Sequence, residues 1–273
     1  MSLAAVMQEA PMKHSRTSTV RPGRRAACTV IVVATTGPRA PARPVSCSDC
    51  SLREVCLPCG LAAHNLTDID ELTRVKRRVA KGAALYRSGD AFDALYAVRS
   101  GSFKTVGISR NGEQKVTGLH LPGEVMGLEA INRKQHGYDA IALEDSEICV
   151  IPYARLTQLA MRLPELQQQL LRIVSGDISR DQGLMLLMGG MDAGQRIAAF
   201  LLSLSRRYQK LGYAPTRFNL RMTREDIGSF LGLTLETVSR LFSRFQRDGL
   251  LKAQQREVEL IDVPALREIV GHW

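Results

Sequence analysis

Four cysteines stand within thirteen residues, Cys47, Cys50, Cys56 and Cys59, spaced Cys-x2-Cys-x5-Cys-x2-Cys. Thiolate sulfur is a soft ligand, so this spacing points to zinc or to an iron–sulfur cluster. The chain has six cysteines in 273 residues, the other two being Cys28 and Cys149. Such crowding in a chain of this size reads as metal or redox chemistry, not as a disulfide framework. The five-residue gap is much shorter than the roughly 15–20 residues between the halves of ribbon-type zinc sites. Both metal readings stay open on spacing alone. Cys149 by itself reads as a buried structural thiol.

A second group of residues is suited to reading DNA. From Met222 to Arg240 the chain carries two capped helices across a tight turn. Thr223 caps the first, with Asp226 three residues on, a relative of the capping box. Gly232 ends that helix because glycine tolerates the left-handed turn, and Thr234 opens the next. Ile227, Leu231, Leu233, Val238 and Leu241 make the small core between them. The second helix then presents Glu236, Thr237, Ser239, Arg240, Ser243, Arg244 and Arg247. A recognition helix puts its N-terminal residues on base edges in the major groove. Arg240 can give two bonds to guanine O6 and N7, and Glu236 can accept from cytosine N4. Ser239 reaches a base or a phosphate, while Arg244 and Arg247 suit phosphates, which adds affinity but little sequence preference. A helical hairpin with a merely solvated charged face would not need the caps, turn and apolar positions together.

Composition agrees. The formal net charge is +10, which suits a polyanionic partner. Part of the excess sits in Arg21, Arg24, Arg25, Arg39 and Arg43 of an N-terminal extension. Aromatic residues are only 5%, too few for a stacking platform for single strands. Neither Gly-x-Ser-x-Gly nor a phosphate-cradling Gly-rich lysine loop occurs, and the acids scatter as on a solvated face, so no enzyme is expected. No apolar run approaches the roughly 18 residues of a membrane span.

The elements that must position these residues follow in order. Residues 1–45, rich in Pro, Arg, Ala and Thr, read as a disordered extension. Arg24-Arg25 before the apolar run 26–36 faintly resembles a twin-arginine leader. The long polar start, and Cys and Thr within the run, favour the extension and a cytoplasmic protein, with Met12 an alternative start. Leu66–Leu72 reads as a short helix opened by Thr67. Between Val75 and Pro152 short strands alternate with glycine turns: Ala83–Tyr86, Ala94–Arg99, Ser102–Ser109, Gln114–Leu121 and Ile141–Ile151. Asn111-Gly112 is a hairpin signal, and the spacing implies a small antiparallel barrel or jelly roll. From Tyr153 the period is helical, and Pro164 opens a long helix to about Met188. Its stripe of Leu170, Val174, Ile178, Met185 and Met188 is close to a coiled-coil seam. Asp181 lies on that stripe; in a symmetric dimer it would face its twin and make the dimer weak and adjustable, or else a rotated helix leaves it solvated. Lys252–Ile261 reads as a two-stranded wing.

A barrel, a dimer helix and a winged helix-turn-helix in this order resemble the cyclic-AMP-receptor superfamily, and more closely its fumarate-and-nitrate-reduction (FNR) regulators. Glu236-Thr237-Val238-Ser239-Arg240 matches their Glu-x-x-Ser-Arg motif, Cys47 to Cys56 their Cys-x2-Cys-x5-Cys, and Cys149 their distant fourth cysteine. Leu95–Gly101 and Met222–Arg240 are further close stretches, and the likeness covers residues 46–273. The fold class implied is α+β: an antiparallel β-roll or jelly-roll sensor domain, a long dimerisation helix and a C-terminal winged helix-turn-helix. The divisions expected are 1–45 extension, 46–65 cysteine segment, 66–162 sensor domain, 163–190 dimerisation helix and 191–273 DNA-binding domain.

The resemblance also implies a [4Fe-4S] cluster on Cys47, Cys50, Cys56 and Cys149. In that family the intact cluster favours the DNA-binding homodimer, and oxygen converts the cluster to a smaller form so that the dimer falls apart. Asp181 matches the acid whose repulsion poises the dimer and Ile178 its apolar neighbour, with Val174 and Met185 on the same interface. The operator implied is a palindrome like TTGAT-N4-ATCAA, whose half-sites each hold one G·C pair, as Arg240 and Glu236 require. RNA polymerase is the further partner implied for such an activator. Cys59 departs from the family pattern and reads as a spare thiol or an alternative ligand. Two rivals belong to the same superfamily. A cyclic-nucleotide sensor would use Gly123-Glu124, but His136-Gly137-Tyr138-Asp139-Ala140 lacks the phosphate-holding arginine and Asp139 would repel the anion. A haem sensor would draw on His64 and His120.

Overall fold

The computed structural model describes residues 46–109 and 111–271. The extension, Cys28 and the arginine pair of the leader-like stretch lie outside the described residues.

The head segment leads into α1 (Leu66–Leu72). Its N-cap is Asn65, with no side-chain cap bond, not Thr67: a short 3-10 turn over Ala63–Asn65 feeds the helix and puts the cap two residues earlier than expected. The strands are β1 (Lys76–Val79), β2 (Ala84–Tyr86), β3 (Ala94–Ser100), β4 (Phe103–Ile108), β5 (Gln114–His120) and β6 (Val125–Met126). After the short α2 (Ala130–Arg133) come β7 (Asp139–Ala142) and β8 (Ser146–Pro152). Two four-stranded antiparallel sheets result, ordered β1-β8-β3-β6 and β2-β7-β4-β5. Val98, Phe103 and Ile148 are buried completely in the core they share. The expected single strand Ile141–Ile151 is two strands in different sheets. The break at residues 143–145 lets the chain cross between layers, with Leu143 N–H donating to Ser102 O (2.9 Å) and Asp145 accepting from Lys81 N–H (2.9 Å). The β4–β5 hairpin turns at Asn111-Gly112 as expected, Gly112 taking φ +80°.

Leu163 is extended before Pro164, as proline demands of its predecessor, and so separates α3 (Tyr153–Arg162) from α4 (Pro164–Gly190). The last unit comprises α5 (Ala193–Lys210), β9 (Arg217–Asn219), α6 (Arg224–Leu231), α7 (Leu235–Arg247), β10 (Leu251–Gln254), β11 (Glu257–Leu260) and α8 (Val263–Val270). The wing is three-stranded, because β9 adds to the expected hairpin in the order β10-β11-β9. Ile197, Leu201, Ile227, Leu231, Val238 and Leu266 form a core that continues without a gap into Val106, Val116 and Leu119 of the β-roll.

Candidate functional site

The head segment is a chain of tight turns, held by bonds such as Arg53 N–H to Cys50 O (3.1 Å) and Cys59 N–H to Cys56 O (3.1 Å). It docks through Leu57 and Leu61, which are buried with Ile69, Leu156 and Leu166. Burying two leucines is worth about 3–6 kcal/mol before ordering costs, enough to seat a loop without regular structure. Polar ties add direction. Asp70 of α1 accepts from Cys47 N–H, and Gln169 of α4 donates to Cys56 O at 3.2 Å.

Cys149 lies on β8, paired with Lys76 of β1 on one side and Ala97 of β3 on the other. Cys47, Cys56 and Cys149 belong to one apolar cluster. Burial pushes the Cys56 thiol up to about 12, and the charges of Cys149, Cys47 and Cys50 each push the same way. Burial also raises Cys47, against a hydrogen bond from Thr73 and the charge of Lys76. Cys149 is raised by burial as well, against Lys76 and Arg99, with Cys50 adding to the rise. Cys47 and Cys56 of the head segment thus share one apolar cluster with Cys149 of β8. Cys59 is half-buried, its N–H donating to Cys56 O in the turn that follows Cys56. Among the described residues, no three His, Cys, Asp or Glu side chains converge as ligands of a single metal ion. A cubane cluster is a different demand: each thiolate meets its own iron, so the sulfurs stand further apart than around one zinc. An all-sulfur donor set in an apolar wall fits that group.

At the other end of the chain, the caps form as their spacing requires. Thr223 Oγ1 accepts from Asp226 N–H (3.0 Å), and the Asp226 carboxylate accepts from Thr223 N–H (3.0 Å). Gly232 takes φ +66°, and Thr234 Oγ1 accepts from Thr237 N–H at 3.2 Å. Ile227, Leu231 and Val238 are fully buried, but Leu233 and Leu241 are only half-buried. Phe242 and Phe245 are buried in that core instead. Glu236, Ser239, Arg240 and Arg244 are exposed, Thr237 half-buried. Thr237, Ser239, Arg240, Ser243, Arg244 and Arg247 line one open groove along α7. Arg244 faces Asp248 at 3.5 Å, an exposed pair weak enough to yield to a phosphate. The Glu236 carboxyl is held below its usual range by its own backbone N–H, Thr234 and Arg240, so it is an acceptor at neutral pH.

Two arginines escaped the sequence reading. Arg224 stacks its guanidinium 3.2 Å from the Phe242 ring centre. Arg196 donates to Met188 O (2.9 Å), Met191 O (2.9 Å) and Leu231 O (3.1 Å), capping the ends of α4 and α6 together. Neither contact has a local spacing that could announce it. Along α4, Ile178 and Met185 are 52% and 73% exposed, with Asp181 exposed between them and Val174 half-buried. Leu171 and Leu186 widen this free face, whereas Leu170 packs inward against the head-segment core and Met188 lies close to Gly232. Burial, then the charge of Asp177, pushes the Asp181 carboxyl above its usual range.

The two acids of the cyclic-nucleotide reading are otherwise engaged. Glu124 pairs with Arg207 (2.6 Å) and Arg180 (3.2 Å), and Asp139 is buried and accepts from Ser88 N–H at 2.8 Å. His64 is exposed, while burial pushes His120 down to about 4 beside Glu124 and Arg207.

A double-sheeted β-roll, a long helix with a free apolar face and a winged helix-turn-helix with an exposed arginine-bearing helix define a DNA-binding transcription regulator, not an enzyme. The Crp-like helix-turn-helix domain matches residues 195–269, and the cyclic nucleotide-binding domain matches residues 76–162. The chain is 49% identical over 225 residues to the transcriptional regulatory protein btr of Bordetella pertussis, covering 82% of this chain and 93% of that protein. It is 41% identical over 228 residues to the fumarate and nitrate reduction regulatory protein of Escherichia coli K12, covering 84% and 91%. FixK2 from Bradyrhizobium japonicum superposes with a TM-score of 0.67 at 28% identity, over 73% of this chain and 98% of that one. The chain belongs to the CRP/FNR family of transcription regulators, its FNR-like relatives among them. No described helix is long and apolar enough to cross a membrane.

Proposed function

We propose that this protein is an oxygen-responsive regulator of the anaerobic gene programme, carrying a [4Fe-4S] cluster on Cys47, Cys50, Cys56 and Cys149. The observation that carries the reading is the apolar cluster that Cys47 and Cys56 of the head segment share with Cys149 on a barrel strand. When bound, the cluster supplies an oxygen-labile cross-link between those two stretches. The chain's own residues do the rest. Gln169 of α4 grips Cys56 O, so the seating of the head segment is felt by the long helix. Ile178, Met185 and Val174 give a homodimer its apolar contact, and Asp181 opposes it by meeting its twin. Because the dimer is poised, a small free-energy change shifts its population. A monomer loses the second half-site and with it most of its affinity.

In the dimer, Arg240 and Glu236 read the G·C pair of each half of a TTGAT-N4-ATCAA-like palindrome, Ser239 and Thr237 support them, and Arg244 meets phosphate. RNA polymerase is the partner at the promoter, and the setting is cytoplasmic. The working divisions are 46–65 for the cysteine segment, 66–162 for the sensor domain, 163–190 for the dimerisation helix and 191–273 for the reader. The test is anaerobic purification with an absorption spectrum and an iron and sulfide assay, wild type beside Cys149→Ser. A brown protein with equal iron and sulfide, lost on the substitution, is expected. A colourless zinc protein, or a Cys149→Ser variant with undiminished cofactor and unchanged inactivation in air, would overturn it.

A further inference from the structure

We propose that Lys76 and Thr73 are positioning residues for the cluster sulfurs: the Lys76 ammonium answers the charge of Cys149, and the Thr73 hydroxyl that of Cys47. The inference rests on the cluster reading above and adds two residues to it.

Lys76 is the strand partner of Cys149, directly opposite it in the antiparallel β1–β8 pair. Such partners have Cβ atoms about 4.5–5.5 Å apart, so their side chains share one space. The ammonium donates to Thr73 O at 2.5 Å, and its positive charge counters the burial that raises the Cys149 thiol. An ammonium has three donors, so that bond leaves two for a thiolate opposite it. The backbone carbonyl anchors the charge where the sulfur needs it. Edge strands often carry basic residues to discourage pairing, and exposed Arg77 and Arg78 fit that explanation. Lys76 does not: it is half-buried, with its ammonium engaged inside the fold.

Thr73 brackets the other sulfur. Its side chain is buried, with Oγ1 3.2 Å from Cys47 Sγ and 2.9 Å from Ile69 O. A hydroxyl has one proton. While it goes to Ile69 O, the thiol must be the donor to Thr73. A Cys47 that binds iron has no proton to give, and the contact survives if Thr73 turns its own proton to sulfur. Ile69 O is not stranded by that turn, because Thr73 N–H already donates to it at 2.9 Å. The hydroxyl can therefore serve either state of the sulfur with no buried acceptor left bare. Charge and hydrogen bonds at the sulfurs are what set a cluster's potential and its stability.

The test uses the full chain, reconstituted anaerobically as wild type, Lys76→Met, Lys76→Arg, Thr73→Val and Thr73→Ser. Removing the cation makes electron loss easier, so Lys76→Met should lower the one-electron midpoint potential by about 60 mV, the equivalent of a tenfold change in that equilibrium. Its visible absorption should fade in air several-fold faster than that of wild type. Thr73→Val should shift both readings the same way by a smaller factor. Lys76→Arg and Thr73→Ser should stay near wild type, which a merely structural role would not require. Reduced iron content in Lys76→Met that Lys76→Arg restores also supports the assignment. Full loading with unchanged potential and fading in Lys76→Met overturns it, as does Lys76→Arg behaving like Lys76→Met. A wild type that takes up no iron and sulfide sinks the cluster reading itself, a result distinct from either.

Discussion

Glu124 ties three parts of the chain together, and breaking that tie has a calculable cost. Its Oε1 accepts from Arg207 Nε at 2.9 Å and faces Arg180 Nη1 at 3.2 Å; its Oε2 accepts from Arg207 Nη2 at 2.6 Å and Leu121 N–H at 3.0 Å. Arg207 belongs to α5, Arg180 to α4, and Glu124 to the β-roll. Both side chains of the Glu124–Arg207 pair are 18% exposed, whereas Arg180 is 42% exposed. Removing one partner of a fully buried pair costs about 3–5 kcal/mol, because the other charge is left bare. Residual exposure trims that figure, and screening holds the Arg180 contact below about 1 kcal/mol. Glu124→Ala should therefore destabilise by about 3–4 kcal/mol. Glu124→Gln, which keeps the shape but turns an NH2 toward guanidinium donors, should cost about 2–3 kcal/mol.

Urea unfolding followed by circular dichroism measures both variants. A double-mutant cycle with Arg207→Met should return a coupling of about 1.5–3 kcal/mol. The pH dependence has a definite sign. Burial pushes the Glu124 carboxyl up, but Arg207 and Arg180 outweigh it and hold the carboxyl below its usual range. Its stabilisation is then complete above the unfolded value of about 4.3 and lost as pH falls through the lower folded value. Glu124→Gln should lack that acid-side loss. A coupling under about 0.5 kcal/mol, or a Glu124→Gln variant as stable as wild type, would refute the reasoning.

Three further outcomes follow from the same geometry. Arg240→Ala should weaken operator binding by about 1–3 kcal/mol and relax preference at one base pair; equal weakening on all sequences in a titration series would count against direct base reading. Gly232→Ala puts a Cβ at φ +66°, with Met188 Cε 2.6 Å away, and should cost about 1–2 kcal/mol in thermal unfolding; a neutral result would mean the turn relaxes freely. Asp181→Ala should tighten self-association of the cluster-free chain in sedimentation runs. Two Asp181 carboxylates meeting across the dimer would raise each other's pKa above that of the monomer, so the dimer binds protons more readily and wild-type association should also strengthen as pH falls into the acid range. Association that weakens in acid in step with wild type in the Asp181→Ala variant would place the effect elsewhere.

Features encoded over three or four residues were legible in advance. Thr223 with Asp226, Gly232, Thr234, Pro164 and Asn111-Gly112 each act through bonds or dihedrals local to themselves, and each does what its spacing required. The exposed helix bearing Glu236, Ser239 and Arg240 followed from those caps. The cysteine spacing could say that the head segment offers soft ligands, but not what else meets them. Cys149 became a candidate only through resemblance, because no period links residue 149 to residue 47.

The fold supplied what lay beyond local reach. Where the chain crosses between sheets, Ile141–Ile151 had to break into two strands, and that crossing sets the register that puts Lys76 beside Cys149. The Arg196 cap, the Glu124–Arg207 tie and the Lys104–Asp226 contact join residues 35, 83 and 122 positions apart. Such partners are chosen by how layers stack and which groups burial would otherwise leave unpaired. Neighbouring side chains along the sequence carry no record of that choice.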